Sequence, residues 1–316
     1  MSGKFPTKIL VATDFSEVSK LALRQAVAIK EKSGAELTLV HALENLKGAL
    51  ERLPAESRWK LVSGNIDEFE NDLRAKTNQK LEEFLKSEQI QGVTTKTLVG
   101  KAAIELVHEV HAGGYDLVVA GTVGATAMRR FFMGSVAEQL LRTCPCAVWV
   151  TRPENVVTPR KILVPVDFSE VTERIVENAG AIAKLFGSEI ILLHTYDSEV
   201  LSVLGVLDGD SSENLALLAK NMEEEVGPKL DELKKLLPAE VTVETKILRG
   251  DAATVINELQ EPDDVDVTIM GTVGRSGMSG LLLGNTAEKV LRHSHSSLLV
   301  VKPANFVSPI GPPLVR

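Results

Sequence analysis

Apolar residues along this chain gather in short, nearly unbroken runs, separated by segments whose apolar positions recur at helical spacing. The first run, Lys8-Ile9-Leu10-Val11-Ala12-Thr13-Asp14, reads as a strand covered by helices on both faces. Leu21, Ala22, Gln25, Ala26 and Ile29 then form a helical stripe, which Ser16-Glu17-Val18 opens and Gly34 ends. Ser16, or alternatively Asp14, is placed to cap the free N–H groups of that helix. The pattern continues as a strand at 36–41, a polar amphipathic surface helix at 65–89, a strand at 93–99 and a helix at 102–112. A strand at 115–120, a helix at 135–142 and a strand at 146–151 follow. Strands alternating with helices predict βαβ units around a parallel sheet.

The same pattern is then written a second time. Lys8-Ile9-Leu10-Val11-Ala12-Thr13-Asp14-Phe15-Ser16-Glu17-Val18 returns as Lys161-Ile162-Leu163-Val164-Pro165-Val166-Asp167-Phe168-Ser169-Glu170-Val171. Ala120-Gly121-Thr122-Val123-Gly124 returns as Met270-Gly271-Thr272-Val273-Gly274, also about 150 residues later. Strands near 161–166, 189–194, 241–248, 265–270 and 297–302 are expected, giving five parallel strands per copy. The implied organisation is a first α/β domain over 1–153, a linker at 154–159 marked by Pro159, a second domain over 160–304 and a proline-rich tail at 305–316 without structure of its own.

Composition narrows the functional classes. With 44% hydrophobic and 25% charged residues, 316 residues supply two ordinary globular cores. A net charge of -8 gives no bulk attraction to nucleic acid or to an anionic membrane, so an anionic ligand needs a local site. No run approaches the ~18 apolar residues of a membrane helix, and the first residues do not read as a signal peptide. Cys144 and Cys146 are too few for a disulfide framework and fit a reducing cytoplasm.

The chemistry-bearing segment is Gly121-x2-Gly124-x9-Gly134-Ser135, which follows a strand and precedes a helix. Glycines let backbone N–H groups approach phosphate oxygens without interference from a Cβ. Gly134-Ser135-Val136 stands at a helix start, where unpaired N–H groups and the positive end of the dipole favour an anion, and the Ser135 hydroxyl adds a donor. The expectation is that amides of 121–135 converge on one anion pocket beside Asp14. Ligands in such folds sit outside the carboxyl ends of the strands, at the topological switch point. Asp14 would then accept from a ribose hydroxyl or an adenine amino group, with Ala12, Thr13, Ala42 and Ala120 at the strand ends beside it. The second copy offers Pro165, Val166, Asp167, Thr195 and Met270 at the matching places. Its loop reads Gly271-x2-Gly274-x9-Gly284-Asn285, with Thr286 next.

These residues resemble the universal stress protein family in its tandem two-domain form. The resemblance rests on VATDFSE and VPVDFSE, on LTLVHA and IILLHT, and on the two glycine loops with the helix and strand after each. It implies a Rossmann-like fold of the adenine nucleotide alpha hydrolase-like type in each domain, ATP as ligand and a role in the stress response. The family pattern has Ser or Thr after the third glycine. Ser135 fits it and Asn285 departs from it, while still able to donate to a phosphate. Mg²⁺ bridging the phosphates is compatible, although no dedicated carboxylate cluster occurs. In the family the last strands pair antiparallel between domains, so 147–151 and 298–302 are expected to pair within this chain, with a homodimer as the next level of assembly.

Other residues carry plainer readings. Arg129 and Arg130 belong to a solvated loop face or contact a terminal phosphate. His41 and His194 are structural, His293 and His295 lack metal-site spacing, and Cys144-Pro145-Cys146 packs, since Ser294-His295-Ser296 stands there in the second copy. No base accompanies the glycine loop, so a nucleotide-dependent regulator is expected rather than an enzyme. The alternatives are slow ATP hydrolysis or autophosphorylation on a hydroxyl such as Ser135, and a nucleotide-free interaction scaffold.

Overall fold

A computed structural model describes residues 5–45, 66–122, 134–152, 157–196, 212–260, 264–272 and 283–312. The first half runs β1 (Lys8–Ala12), α1 (Glu17–Ser33), β2 (Glu36–Leu43), α2 (Ile66–Ser87), β3 (Thr94–Val99), α3 (Ala102–Gly113), β4 (Leu117–Gly121), α4 (Ser135–Thr143) and β5 (Ala147–Thr151). The second runs β6 (Lys161–Pro165), α5 (Thr172–Phe186), β7 (Glu189–Tyr196), α6 (Ser212–Lys234), β8 (Val243–Arg249), α7 (Ala252–Gln260), β9 (Val267–Gly271), α8 (Asn285–His293) and β10 (Ser297–Val301).

Among the described residues ten strands form one sheet in the order β3-β2-β1-β4-β5-β10-β9-β6-β7-β8. Neighbours within each half are parallel, and the halves meet at the antiparallel pair β5–β10, with Leu298 opposite Val150, Leu299 opposite Trp149 and Val300 opposite Val148. The intramolecular pairing expected of the last strands is therefore observed. A strand buried on both faces has no polar alternation, and β5 and β10 are buried at every position.

The helices divide between the two faces of this sheet. Side chains of α1, α2, α5 and α6 pack with Ile9, Val11, Trp149, Ile162 and Leu299. Those of α3, α4, α7 and α8 pack with Leu10, Val148, Leu163 and Leu298 on the other side. Both cores run across the seam between the halves, so burial of apolar area ties them together.

Local chemistry fixes the entry and exit of α1. Ser16 caps it by accepting from the Ser19 N–H at 3.2 Å, and Gly34 closes it in the left-handed conformation at φ 71°. Gly187 ends α5 in the same way at φ 72°. The tail forms no helix or strand through residue 312, yet it is docked: Ser308 Oγ donates to Thr143 O at 2.6 Å, and His111 Nε2 lies 3.2 Å from Ile310 O. It thus lays the end of the second half across the first.

Candidate functional site

In each half the strand order reverses direction between its first and fourth strands. β1 pairs with β2 on one side and β4 on the other, and α1 leaves to one face while α4 leaves to the opposite face. A crevice opens where two such connections diverge. The carboxyl ends that flank it are Ala12-Thr13-Asp14 and Ala120-Gly121-Thr122. β6 and β9 place Pro165-Val166-Asp167 and Met270-Gly271-Thr272 equivalently.

The segment after β1 is a tightly bonded turn. Thr13 N–H continues the sheet to Val40 O at 2.9 Å, and its buried hydroxyl lies 2.9 Å from both Ser19 Oγ and the Phe15 N–H. The Thr13 hydroxyl thus serves the start of α1, and Val166 fills its place as a buried apolar side chain. Asp14 Oδ1 accepts from Ser16 N–H at 3.1 Å and Ser16 Oγ at 2.5 Å, and Asp167 Oδ1 accepts from Ser169 at 3.1 and 2.6 Å. Such side-chain bonds to the backbone two residues on hold the carboxylate at the turn.

Between them stand Phe15 at φ 64° and Phe168 at φ 59°, a left-handed conformation that is strained for a bulky side chain. The strain is held by packing. Phe15 lies 4.7 Å from the His41 ring and 5.5 Å from Phe84, with Lys80 Nζ 4.1 Å from its centroid. Phe168 lies 4.9 Å from His194 and has Lys229 Nζ 5.6 Å away. His41 Nδ1–H donates to Thr13 O at 2.7 Å and His194 Nδ1–H to Val166 O at 2.8 Å, so both histidines brace the turn.

The glycine loop is closed at one backbone point. Thr122 N–H bonds to Thr151 O on β5 at 3.1 Å, and Thr122 O accepts the Gly134 N–H, which brings the two ends of the loop together. Thr272 repeats this with Val301 O at 3.3 Å and Gly284 N–H at 2.8 Å. Gly134 and Gly284 therefore direct their own N–H groups at the loop stem and contribute the cap position instead. They are the N-caps of α4 and α8, and among the described residues no side chain caps either helix there. The N–H groups of Ser135 and Val136, and of Asn285 and Thr286, begin those helices, where the first turn supplies no intrahelical acceptor. The buried hydroxyls of Thr122 and Thr272, 1% and 2% exposed, have no hydrogen-bond partner among the described residues.

Gly121 ends β4 directly under α1. A Cβ there would lie 2.9 Å from Val18 Cγ1, so only glycine permits this close approach. Ala12, Ala42, Pro165 and Thr195 are half-buried at the strand ends, and Ala120 and Met270 are buried. Gly124, Gly274, Arg129 and Arg130 lie outside the described residues. Among the described residues no group of three His, Cys, Asp or Glu side chains is disposed to hold a metal ion, and no helix is long and apolar enough to cross a membrane.

Three pairs escaped the sequence reading: Phe15 with Phe168, Thr122 with Thr272, and Arg152 with Lys302. The first two lie inside the repeated DFSE and GTVG segments, and recurrence was the available signal. Arg152 and Lys302 each stand one residue beyond the last strand of their half.

Comparison with known proteins agrees with this duplicated architecture. The model of the Universal stress protein family matches twice, over residues 6–152 and 158–302. A universal stress protein of Methanocaldococcus jannaschii is 33% identical over 144 residues, 45% of this chain and 82% of that protein. Universal stress protein E of Salmonella typhi is 24% identical over 322 residues, covering 96% of both chains. The crystal structure of a universal stress protein from Archaeoglobus fulgidus superimposes with a TM-score of 0.61 at 21% identity, covering 94% of this chain and 98% of that one. The chain belongs to the universal stress protein family, as a member carrying two family domains in tandem.

Proposed function

We propose that each half binds an adenine nucleotide, ATP in the first instance, and that occupancy regulates the stress response of the cell. The observation carrying this reading is the duplicated cradle: a helix N-terminus with no side-chain cap among the described residues, its start bonded back to Thr122 or Thr272, at the switch point of each half. The cradle fits a polyphosphate. Its donors are backbone N–H groups with the Ser135 hydroxyl or the Asn285 amide, and the helix dipole favours negative charge there. The orphaned Thr122 and Thr272 hydroxyls lie at the loop stem and would gain a partner from a bound phosphate or its water. Asp14 and Asp167 stand at the other wall, suited to a ribose or adenine donor. ATP brings Mg²⁺ on its own phosphates, so no protein carboxylate cluster is required.

We further propose that the protein works in the cytoplasm by binding rather than turnover. The hydroxyls, glycines and Ser16-bound carboxylate around the first cradle have no evident base among them, and binding free energy alone can shift a conformational or partner equilibrium. A homodimer of two chains belongs to the same proposal, with light scattering as its check. To test the nucleotide reading, purified protein is denatured and the supernatant examined for adenine absorbance and nucleotide mass, and stripped protein is titrated with MgATP by calorimetry. Up to two nucleotides per chain are expected. An empty supernatant and no heat at millimolar MgATP would refute it. Phosphate release from labelled ATP should be no faster than for Ser135→Ala.

A further inference from the structure

The helix that starts at each cradle ends against a cation from the other half. Lys302, just beyond β10, donates through Nζ to Leu141 O in the last turn of α4. Arg152, just beyond β5, donates through Nη2 to Leu291 O in the last turn of α8 at 2.9 Å. The acceptors, like the donors, occupy matching places in the repeat. Both side chains are deeply buried, Lys302 at 2% and Arg152 at 5% exposure. The two helices also touch directly, with Arg142 of α4 lying 3.8 Å from Glu288 of α8.

Resting on the nucleotide reading above, we infer that Lys302 and Arg152 are positioning residues, each of which sets the anion affinity of the opposite half. Each helix has 9 residues, about 13 Å from end to end. An anion at its N-terminus and a cation at its C-terminus both lower the energy of the helix dipole, and they attract each other through a poorly screened interior. Removal of the cation therefore weakens the phosphate site at the far end of the same helix.

The two cations differ in how they titrate. Arg152 stays charged at every accessible pH. The Lys302 ammonium is lowered to about 8, first by burial and also by Arg142, while Cys144 and Cys146 nearby act in the opposite sense. The ammonium also lies against the Phe306 ring, 4.6 Å from its centroid. Affinity in the first half should therefore fall between pH 7.5 and 9.5, while the second half is unaffected.

The test titrates full-length protein with MgATP, reading one half at a time. Asn285→Asp silences the second half so that the first is read, and Ser135→Asp does the converse. Lys302→Met is expected to weaken the first half roughly three- to ten-fold and leave the second unchanged. Arg152→Met should do the reverse. Lys302→Arg should restore the affinity of the first half and flatten its pH profile, which a merely structural role would not do. Unchanged affinity in Lys302→Met, or equal loss in both halves, overturns the inference while the nucleotide reading stands. Absence of binding to wild-type protein overturns both.

Discussion

Gly121 and Lys302 show how single positions carry the site. The nearest atoms to a Cβ on Gly121 would be Val18 Cγ1 at 2.9 Å and the Val18 backbone carbon and oxygen at 3.2 and 3.3 Å, and a backbone neighbour cannot rotate away. Gly121→Ala should cost about 1–3 kcal/mol, read as a lower urea midpoint at unchanged slope. Lys302 acts through its proton. Its folded value of about 8 lies below the ordinary lysine value of 10.5, so between these pH values the unfolded chain binds more protons. Its contribution to stability therefore rises with pH across that window, and below about 8 the buried charge costs on the order of 3 kcal/mol. Urea midpoints should show wild type gaining on Lys302→Met between pH 8 and 10.5, and parallel curves would refute the linkage. Neither effect was legible in the sequence. A glycine after a strand announces a turn but not which helix lies against it, and the burial of a lysine depends on the seam.

Elements were largely legible, because an apolar run bounded by helical spacing leaves few alternatives. The differences lie at strand entrances. β4 begins at Leu117 rather than at Tyr115, because Asp116 turns its carboxylate onto the Thr7 N–H at 2.8 Å and the Lys8 N–H at 3.0 Å. Asp266 does the same before β9, accepting from Arg160 and Lys161 at 2.7 and 3.2 Å. The carboxylate there adds bonds to the backbone entering the neighbouring strand, while the aspartate N–H still pairs with Lys8 O or Lys161 O, and apolar periodicity registers neither. The Asp14 and glycine-loop segments were read as one site because each follows the carboxyl end of a strand, where such folds place their ligands. The bracing of residues 13–15 by His41 and Phe15 was hidden, since a left-handed phenylalanine contradicts local preference. For α4 a sharp expectation follows. Ser135→Asp places a permanent anion where phosphate would lie, so it should stabilise the helix by about 0.3–1 kcal/mol. The same change should weaken MgATP binding in the first half by at least about ten-fold through like-charge repulsion. A rise in melting temperature with lost affinity separates this from misfolding, and unchanged affinity in the folded variant would refute the cradle.

At the scale of the whole molecule, the two halves share one sheet and both of its cores. Trp149 is fully buried in β5, opposite Leu299 of the second half, and belongs to the same core as Ile9 and Ile162 of the two first strands. Separating the halves would expose that seam together with the buried Arg152 and Lys302, so local opening there costs apolar burial and both helix-end hydrogen bonds. Unfolding should therefore be one event across both halves, although each has its own sheet order. With Trp59 changed to phenylalanine, Trp149 fluorescence reports the seam and far-ultraviolet circular dichroism reports all helices. Coincident urea transitions are expected. A seam that opens at lower urea than the helices melt would show that the halves are independent. Deletion of residues 303–316 gives the complementary result. It removes the Ser308 bond to Thr143 O and the Ile310 bond to His111, which tie the tail to the first half. Two such hydrogen bonds are worth about 1–3 kcal/mol together. Because that loss is felt through the shared cores, both probes should shift to lower urea together, and a shift confined to one probe would contradict a single cooperative unit.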